Sequence, residues 1–266
     1  MKKLPLLIWV AILYMLPLSA SLAENFSAEL LREPTAIPVT DTFTVEIIRD
    51  EPTPSVDKRI LIYHTHTFEA YAQDPDHTYQ PTEKWRTADP AHNMIAVGNA
   101  LASSLEALGM NVVHDVTTFE LPNLDTAYDR SLAMLEQRRA AGETYDLYLD
   151  LHRDAIASAS AIKRTVNIGG EEVARFMVLI GQGSTGGYAE KPNWEANLQL
   201  AEQITAAMNE RCPQLARDVK LKTGRFNQHI SEGCLLIECG MTDNTLNEVL
   251  AGIPYLADAI WQTLCY

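Results

Sequence analysis

The sequence predicts an α/β fold, a three-layer sandwich with a mostly parallel sheet flanked by helices. Three observations predict it. From Lys58 onward, short apolar runs of strand length alternate with longer segments of helical periodicity, the pattern of strands joined by crossover helices. The apolar runs are continuous rather than alternating, as in strands buried on both faces. The chain has 266 residues, 47% of them hydrophobic, enough for one sizeable core.

The elements follow in order. Residues 59–63 (Arg-Ile-Leu-Ile-Tyr) form the first strand. Residues 90–108 read as a helix, with Ile95, Ala102, Leu105 and Leu108 near one face and Gly109 closing it. Asp89-Pro90 reads as its N-cap with proline at the first helical position. Strands are expected at 111–116, 145–151, 173–180 and 234–239. Helices are expected at 126–140, with Tyr128, Leu132 and Leu135 inward, and at 194–209, with Asn193 as cap. A last helix at 245–263 is expected to break near Pro254. One domain is expected over 57–266.

The N-terminus has a different character. Met1-Lys2-Lys3 precedes an apolar run from Leu4 to Ala23, and Ser21-Leu22-Ala23 has the small-x-small form of a cleavage site. Residues 1–23 therefore read as a signal peptide or, uncut, as a membrane anchor, since about 20 apolar residues span a bilayer. Either way the rest of the chain is expected outside the cytoplasm, secreted or anchored. Residues 24–56, rich in Pro, Thr, Glu and Asp, read as a linker with a short strand at 43–48. The formal net charge of −14 repels phosphate backbones and argues against nucleic acid as a partner. Cys212, Cys234, Cys239 and Cys265 contain no C-x-x-C, so a cysteine zinc site is not supported. Cys234 and Cys239 face opposite sides of one strand and read as small buried hydrophobes.

Three strands end in polar residues that packing does not require: His64-Thr-His66-Thr-Phe-Glu69, Asp150-Leu-His152-Arg153-Asp154 and Glu238-Cys-Gly240. Ligands of open α/β sheets sit outside the carboxyl ends of strands, so these ends are expected to converge on one crevice. Imidazoles suit zinc, which makes His66 and His152 candidate ligands, with His64 as an alternative or as an orienting partner behind them. A carboxylate, Glu69 or Asp89, would complete the set. Glu238 would be the general base for water attacking an amide carbonyl. Arg153 would pair with Glu238 or bind a substrate carboxylate through its planar fork. His77, His92, His114 and His229 read as ordinary hydrogen-bonding histidines. The glycine-rich stretch 181–187 lacks the P-loop ending and the helix that must follow it, so it reads as a loop beside the site. Residues 74–85 form a long loop able to wall a groove. No Gly-x-Ser-x-Gly elbow is present.

At these motifs the chain resembles the stage II sporulation protein P family. The resemblance covers about 57–264. It rests on Ile-Tyr-His-Thr-His-Thr-Phe-Glu-Ala-Tyr (62–71), Arg-Thr-Ala-Asp-Pro-Ala-His-Asn (86–93), Val-Gly-Asn-Ala-Leu (97–101) and Asp-Leu-His-Arg-Asp (150–154). It extends through Phe-Asn-Gln (226–228), Leu-Ile-Glu-Cys-Gly (236–240) and Asn-Thr-Leu (244–246). The resemblance implies an amidase-like fold and a zinc N-acetylmuramoyl-L-alanine amidase acting on peptidoglycan. Such an enzyme cuts between the lactyl group of muramic acid and L-alanine, with peptide crosslinks as a second target. It implies sporulation engulfment as the setting, beside a partner that cuts the glycan. His66 and His152 match the metal histidines and Glu238 the catalytic glutamate. In plain amidases the metal glutamate stands four residues ahead of an asparagine. Asp89 has that spacing to Asn93 and competes with Glu69. Asn227 is assigned with Arg153 to substrate binding. Two other readings compete: another zinc hydrolase of wall peptides or glycans, and a non-catalytic wall-binding subunit.

Overall fold

A computed structural model describes residues 56–156, 161–184 and 186–266. These residues belong to a compact unit spanning Glu51–Tyr266. Residues 1–23, expected to direct export, most of the expected linker and the strand expected at 43–48 lie outside the described residues. Among the described residues no helix is long and apolar enough to cross a membrane.

Strand β1 (Arg59–Tyr63) leads to helix α1 (Met94–Ala107), β2 (Asn111–His114) and α2 (Ala127–Ala140). Then come β3 (Leu147–Asp154), a hairpin of β4 (Thr165–Ile168) and β5 (Glu171–Ala174), and β6 (Phe176–Gly181). Helix α3 (Trp194–Arg211), β7 (Lys220–Lys222), β8 (Cys234–Met241) and α4 (Leu246–Cys265) complete the unit. The main sheet has the order β2-β1-β3-β8-β6-β7. The pairs β2–β1, β1–β3 and β3–β8 are parallel, β8–β6 is antiparallel and β6–β7 parallel. This is the mostly parallel α/β sheet expected from the sequence.

Strand alternation sorts the residues by face. Ile60, Ile62, Leu147, Leu149, Leu151, Leu235 and Ile237 enter the large core beneath α1, α3 and α4. Leu61, Tyr63, Tyr148 and Cys234 enter a smaller core with Ala127 and Leu135 of α2. The α2 face is the sparsely covered one, and a cleft opens there over β8, β6 and β7.

Local differences from the expected elements have physical causes. The first helix starts at Met94 because Asn93, not Asp89, caps it by accepting from the Ile95 N–H. The apolar stretch 173–180 divides in two. Gly169 and Gly170, both at positive φ, make the tight turn that pairs β5 back onto β4, and β6 alone joins the main sheet. Asn193 adopts a left-handed conformation without a side-chain cap bond and donates to His229 O instead. Helix α4 runs unbroken through Pro254. That proline is exposed, so the carbonyl it deprives of a partner can be hydrated. The helix is held by a Thr245–Glu248 capping box and by burial of Val249, Ile253, Leu256 and Ile260. All four cysteines are free thiols.

Candidate active site

The site is built by three neighbouring strands and the turn that follows the first. β1 ends at Tyr63, and the chain turns through residues 65–68. This turn is clamped from every side. Thr65 donates through its N–H and Oγ1 to the two oxygens of Asp150, at 2.8 and 2.6 Å. Thr67 Oγ1 donates to His64 O, and Met94 N, at the start of α1, donates to Thr67 O. The Phe68 N–H donates to Glu120, which is ion-paired with Arg86. The Thr87 N–H donates to Phe68 O, and Asn93 Nδ2 donates to Thr87 O. The 86–93 segment is therefore a buttress for the turn.

The turn delivers His66 and Glu69 beside His152 of β3. Glu69 Oε1 lies 3.7 Å from His66 Nδ1, and Glu69 Oε2 lies 3.5 Å from His152 Nδ1. One donor atom from each of the three residues falls within 4.8 Å of the others. Burial pushes the Glu69 carboxyl up, but its contacts with His152 and then His66 outweigh this and hold it well below the usual range. Burial disfavours the His152 cation, yet Asp150 and then Glu69 raise its pKa well above normal. Asp150 Oδ1 lies 3.0 Å from His152 Nε2, out of line for a hydrogen bond. The Glu69 carboxylate is further anchored by the Arg153 N–H at 2.9 Å.

Glu238 of β8 is in register with His152 and faces the same cleft. Its Oε2 is buried without a hydrogen-bond partner. Burial pushes its carboxyl up to about 8, with His152 lowering it and Glu69 and Asp154 raising it. Just beyond, the β3–β8 register shifts, because β8 carries a bulge where Gly240 takes φ 73°. A Cβ there would meet Val249 Cγ2 at 2.8 Å. The Tyr128 ring lies parallel to His152 at 6.3 Å and edge-on to His66 at 5.5 Å, walling the cluster.

Of the remaining candidates, Arg153 lines the same cleft, and the others lie elsewhere. Asp89 is not in the cluster. It is exposed, accepting from Ala91 N and pairing with His92 at 3.0 Å. His64 does not back the cluster either. Strand alternation carries the α1 face of Ile60 and Ile62 on to His64, before the turn begins, and the ring lies with its Nδ1 3.3 Å from Leu151 O and its Nε2 2.8 Å from His114 Nε2. Gly98 makes room for that pair, since a Cβ would come within 2.3 Å of His114 Nε2. Arg153 makes no ion pair with Glu238; its Nη1 donates to Thr242 Oγ1 at 2.8 Å. Asn227 is buried and spends its amide on Tyr128 O and Ser131 Oγ, tying its loop to α2. The loop 74–85 does not line the cleft. Sequence reasoning missed Asp150, although its spacing of two from His152 on a strand marks a shared face. It also missed Tyr128 as a wall, since helical periodicity shows only that Tyr128 points inward.

The donor set fits a metal. Two imidazole nitrogens and one carboxylate oxygen are a common protein set for catalytic zinc, with one position left for water. A carboxylate behind one histidine orients it, and Asp150 stands in that place. The cleft thus brings together a His-Glu-His cluster and a facing carboxylate whose buried Oε2 has no partner. The chain matches the family model described as stage II sporulation protein P (SpoIIP) over residues 28–261, and it belongs to that family. A curated relative, stage II sporulation protein P of Bacillus subtilis (strain 168), is 26% identical over 220 residues, covering 76% of this chain. The match spans only 50% of that relative's length.

Among solved structures, similarity extends to N-acetylmuramoyl-L-alanine amidase AmiC2 of Nostoc punctiforme (TM-score 0.44, 16% identity, 79% of this chain and 96% of that one). It extends also to the CwlD amidase of Clostridioides difficile, solved with the GerS lipoprotein (TM-score 0.47, 13% identity, 78% and 94%). The amidase Ami1 of Mycobacterium smegmatis is a third (TM-score 0.46, 14% identity, 79% and 96%). Likeness at this level carries no functional weight.

Proposed function

We propose that the chain is a zinc-dependent peptidoglycan hydrolase that cuts the amide between the lactyl group of muramic acid and L-alanine. One observation carries this reading: His66, Glu69 and His152 gather in a cleft that also holds the buried, partnerless Oε2 of Glu238. A zinc ion held by His66, Glu69 and His152 would supply a Lewis acid that polarises the amide carbonyl and makes a water acidic. Glu238 receives at Oε2 the proton that the attacking water gives up, then returns it to the departing amine nitrogen. The Asp150 carboxylate, 3.0 Å from His152 Nε2, favours electrostatically the ring orientation that leaves Nδ1 toward Glu69. Tyr128 excludes water from one side of the histidines. Family membership supports a role in sporulation, alongside a partner that cleaves the glycan. The basic, then apolar, N-terminus supports export, as a cleaved signal or an anchor.

Purified muropeptides, with the released fragments identified by mass spectrometry, test the reading. Zinc-loaded protein is expected to free L-alanine-headed stem peptides, and Glu238→Gln to retain zinc while losing at least about 100-fold in kcat. Survival of the lactyl–alanine bond while peptide crosslinks are cut would replace the amidase with an endopeptidase. Full activity of the Gln variant would remove Glu238 from the mechanism.

A further inference from the structure

The chain carries 35 acidic against 21 basic residues, yet one wall of the cleft is basic. Lys220 and Lys222 stand two apart on β7, so both side chains leave the sheet on one face, and both line the cleft shared with the His-Glu-His cluster and Glu238. Leu221 between them turns to the other face, toward Leu198 and Thr205 of α3. Arg217 also lines the cleft, but it is committed to Asp154 at 2.7 Å. No carboxylate of the described residues lies within ion-pair distance of Lys220 or Lys222, although Lys58 elsewhere on the surface has such a partner. The two free ammonium groups therefore set the charge of this wall.

Register gives the distance to the reacting centre. Leu236 of β8, Leu179 of β6 and Lys220 of β7 form one row across the sheet. Glu238 is paired with Met177 one step along. Two strand spacings and one two-residue step separate Glu238 from Lys220, about 10–12 Å. Met177, Leu179 and Leu236 make an apolar floor between them. Edge strands also carry lysine to discourage pairing with another chain, but lysine on either face of β7 would serve that purpose.

We infer that Lys220 and Lys222 form a carboxylate-binding subsite, selecting acidic peptides whose free carboxylate lies about two to three extended residues from the bond cleaved. The inference rests on the peptide-hydrolase reading above and names its substrate class.

The test compares a muropeptide bearing free stem-peptide carboxylates with its fully amidated counterpart. Binding is read by calorimetry on zinc-loaded full-length Glu238→Gln protein at low salt, with and without Lys220→Gln/Lys222→Gln, and turnover is read separately on the Glu238 protein. Glutamine keeps much of the aliphatic stem on an exposed strand, and the melting curve checks the fold. Free carboxylates are expected to tighten binding about tenfold. The advantage is expected to vanish in the double variant and to shrink with salt. Equal affinity for both peptides, or a preference that survives in the double variant, would overturn the subsite and leave the lysines as edge protection. Preference without cleavage of either peptide would overturn the amidase reading and leave the subsite standing.

Discussion

At the residue scale, Glu238 and Asp150 show how position sets chemistry. Burial raises the Glu238 carboxyl from 4.5 to about 8, so the folded chain holds a proton that the unfolded chain has released. In metal-free protein this group contributes stability fully below pH 4.5 and loses it as pH rises to about 8. Glu238→Gln removes the penalty. In chelator-treated protein the variant should exceed the parent at pH 8 by on the order of 2–5 kcal/mol and match it near pH 4.5. Urea midpoints at both values check this, and an unchanged gap would show the carboxylate is not desolvated. Asp150 stands beside His152, with Oδ1 3.0 Å from Nε2. Asp150→Asn should weaken zinc binding about 10–100-fold, measured by competition with a chelator of known affinity. Retained affinity would reduce Asp150 to an anchor for Thr65.

At the element scale, the decisive piece is the turn between β1 and the segment that caps α1. Asn93 accepts from Ile95 N at 2.9 Å and donates to Thr87 O at 3.1 Å, joining helix start to buttress. Asn93→Ala should cost about 2–3 kcal/mol, from the lost cap and the stranded carbonyl. It should also weaken zinc binding, because Met94 N holds Thr67 O. Denaturant titration beside metal affinity checks both. A loss of stability with zinc binding intact would mean that the turn is held by Asp150 and Glu120 alone.

At the scale of the whole molecule, the candidate ligands come from two distant parts of the chain, so metal binding would be linked to folding. Free zinc at a thousandfold over its dissociation constant should stabilise the protein by about 4 kcal/mol. Calorimetry should show a higher Tm with zinc for the parent and none for His152→Ala. An equal rise in the variant would place the metal elsewhere.

Much of this was legible in the amino-acid order. Continuous apolar runs spaced by helical stretches determined a mostly parallel sheet, because such strands are stable only when covered on both faces. His66, His152 and Glu238 at or beyond strand ends pointed to a single crevice, because parallel neighbours bring their carboxyl ends together. The choice among nearby polar groups belonged to the tertiary structure. Glu69 rather than Asp89 joins the histidines, and His66 leaves the face that alternation carries from Ile60 and Ile62 to His64, because the chain turns at 65–68 and alternation no longer reports direction beyond His64. Asn227 bonds inward to α2, and Arg153 lines the cleft while donating to Thr242 rather than pairing with Glu238, since a side chain's partner depends on the element packed across from it. Pro254 left α4 whole because burial of one helical face outweighs a lost hydrogen bond on the exposed face, a balance that local sequence does not contain.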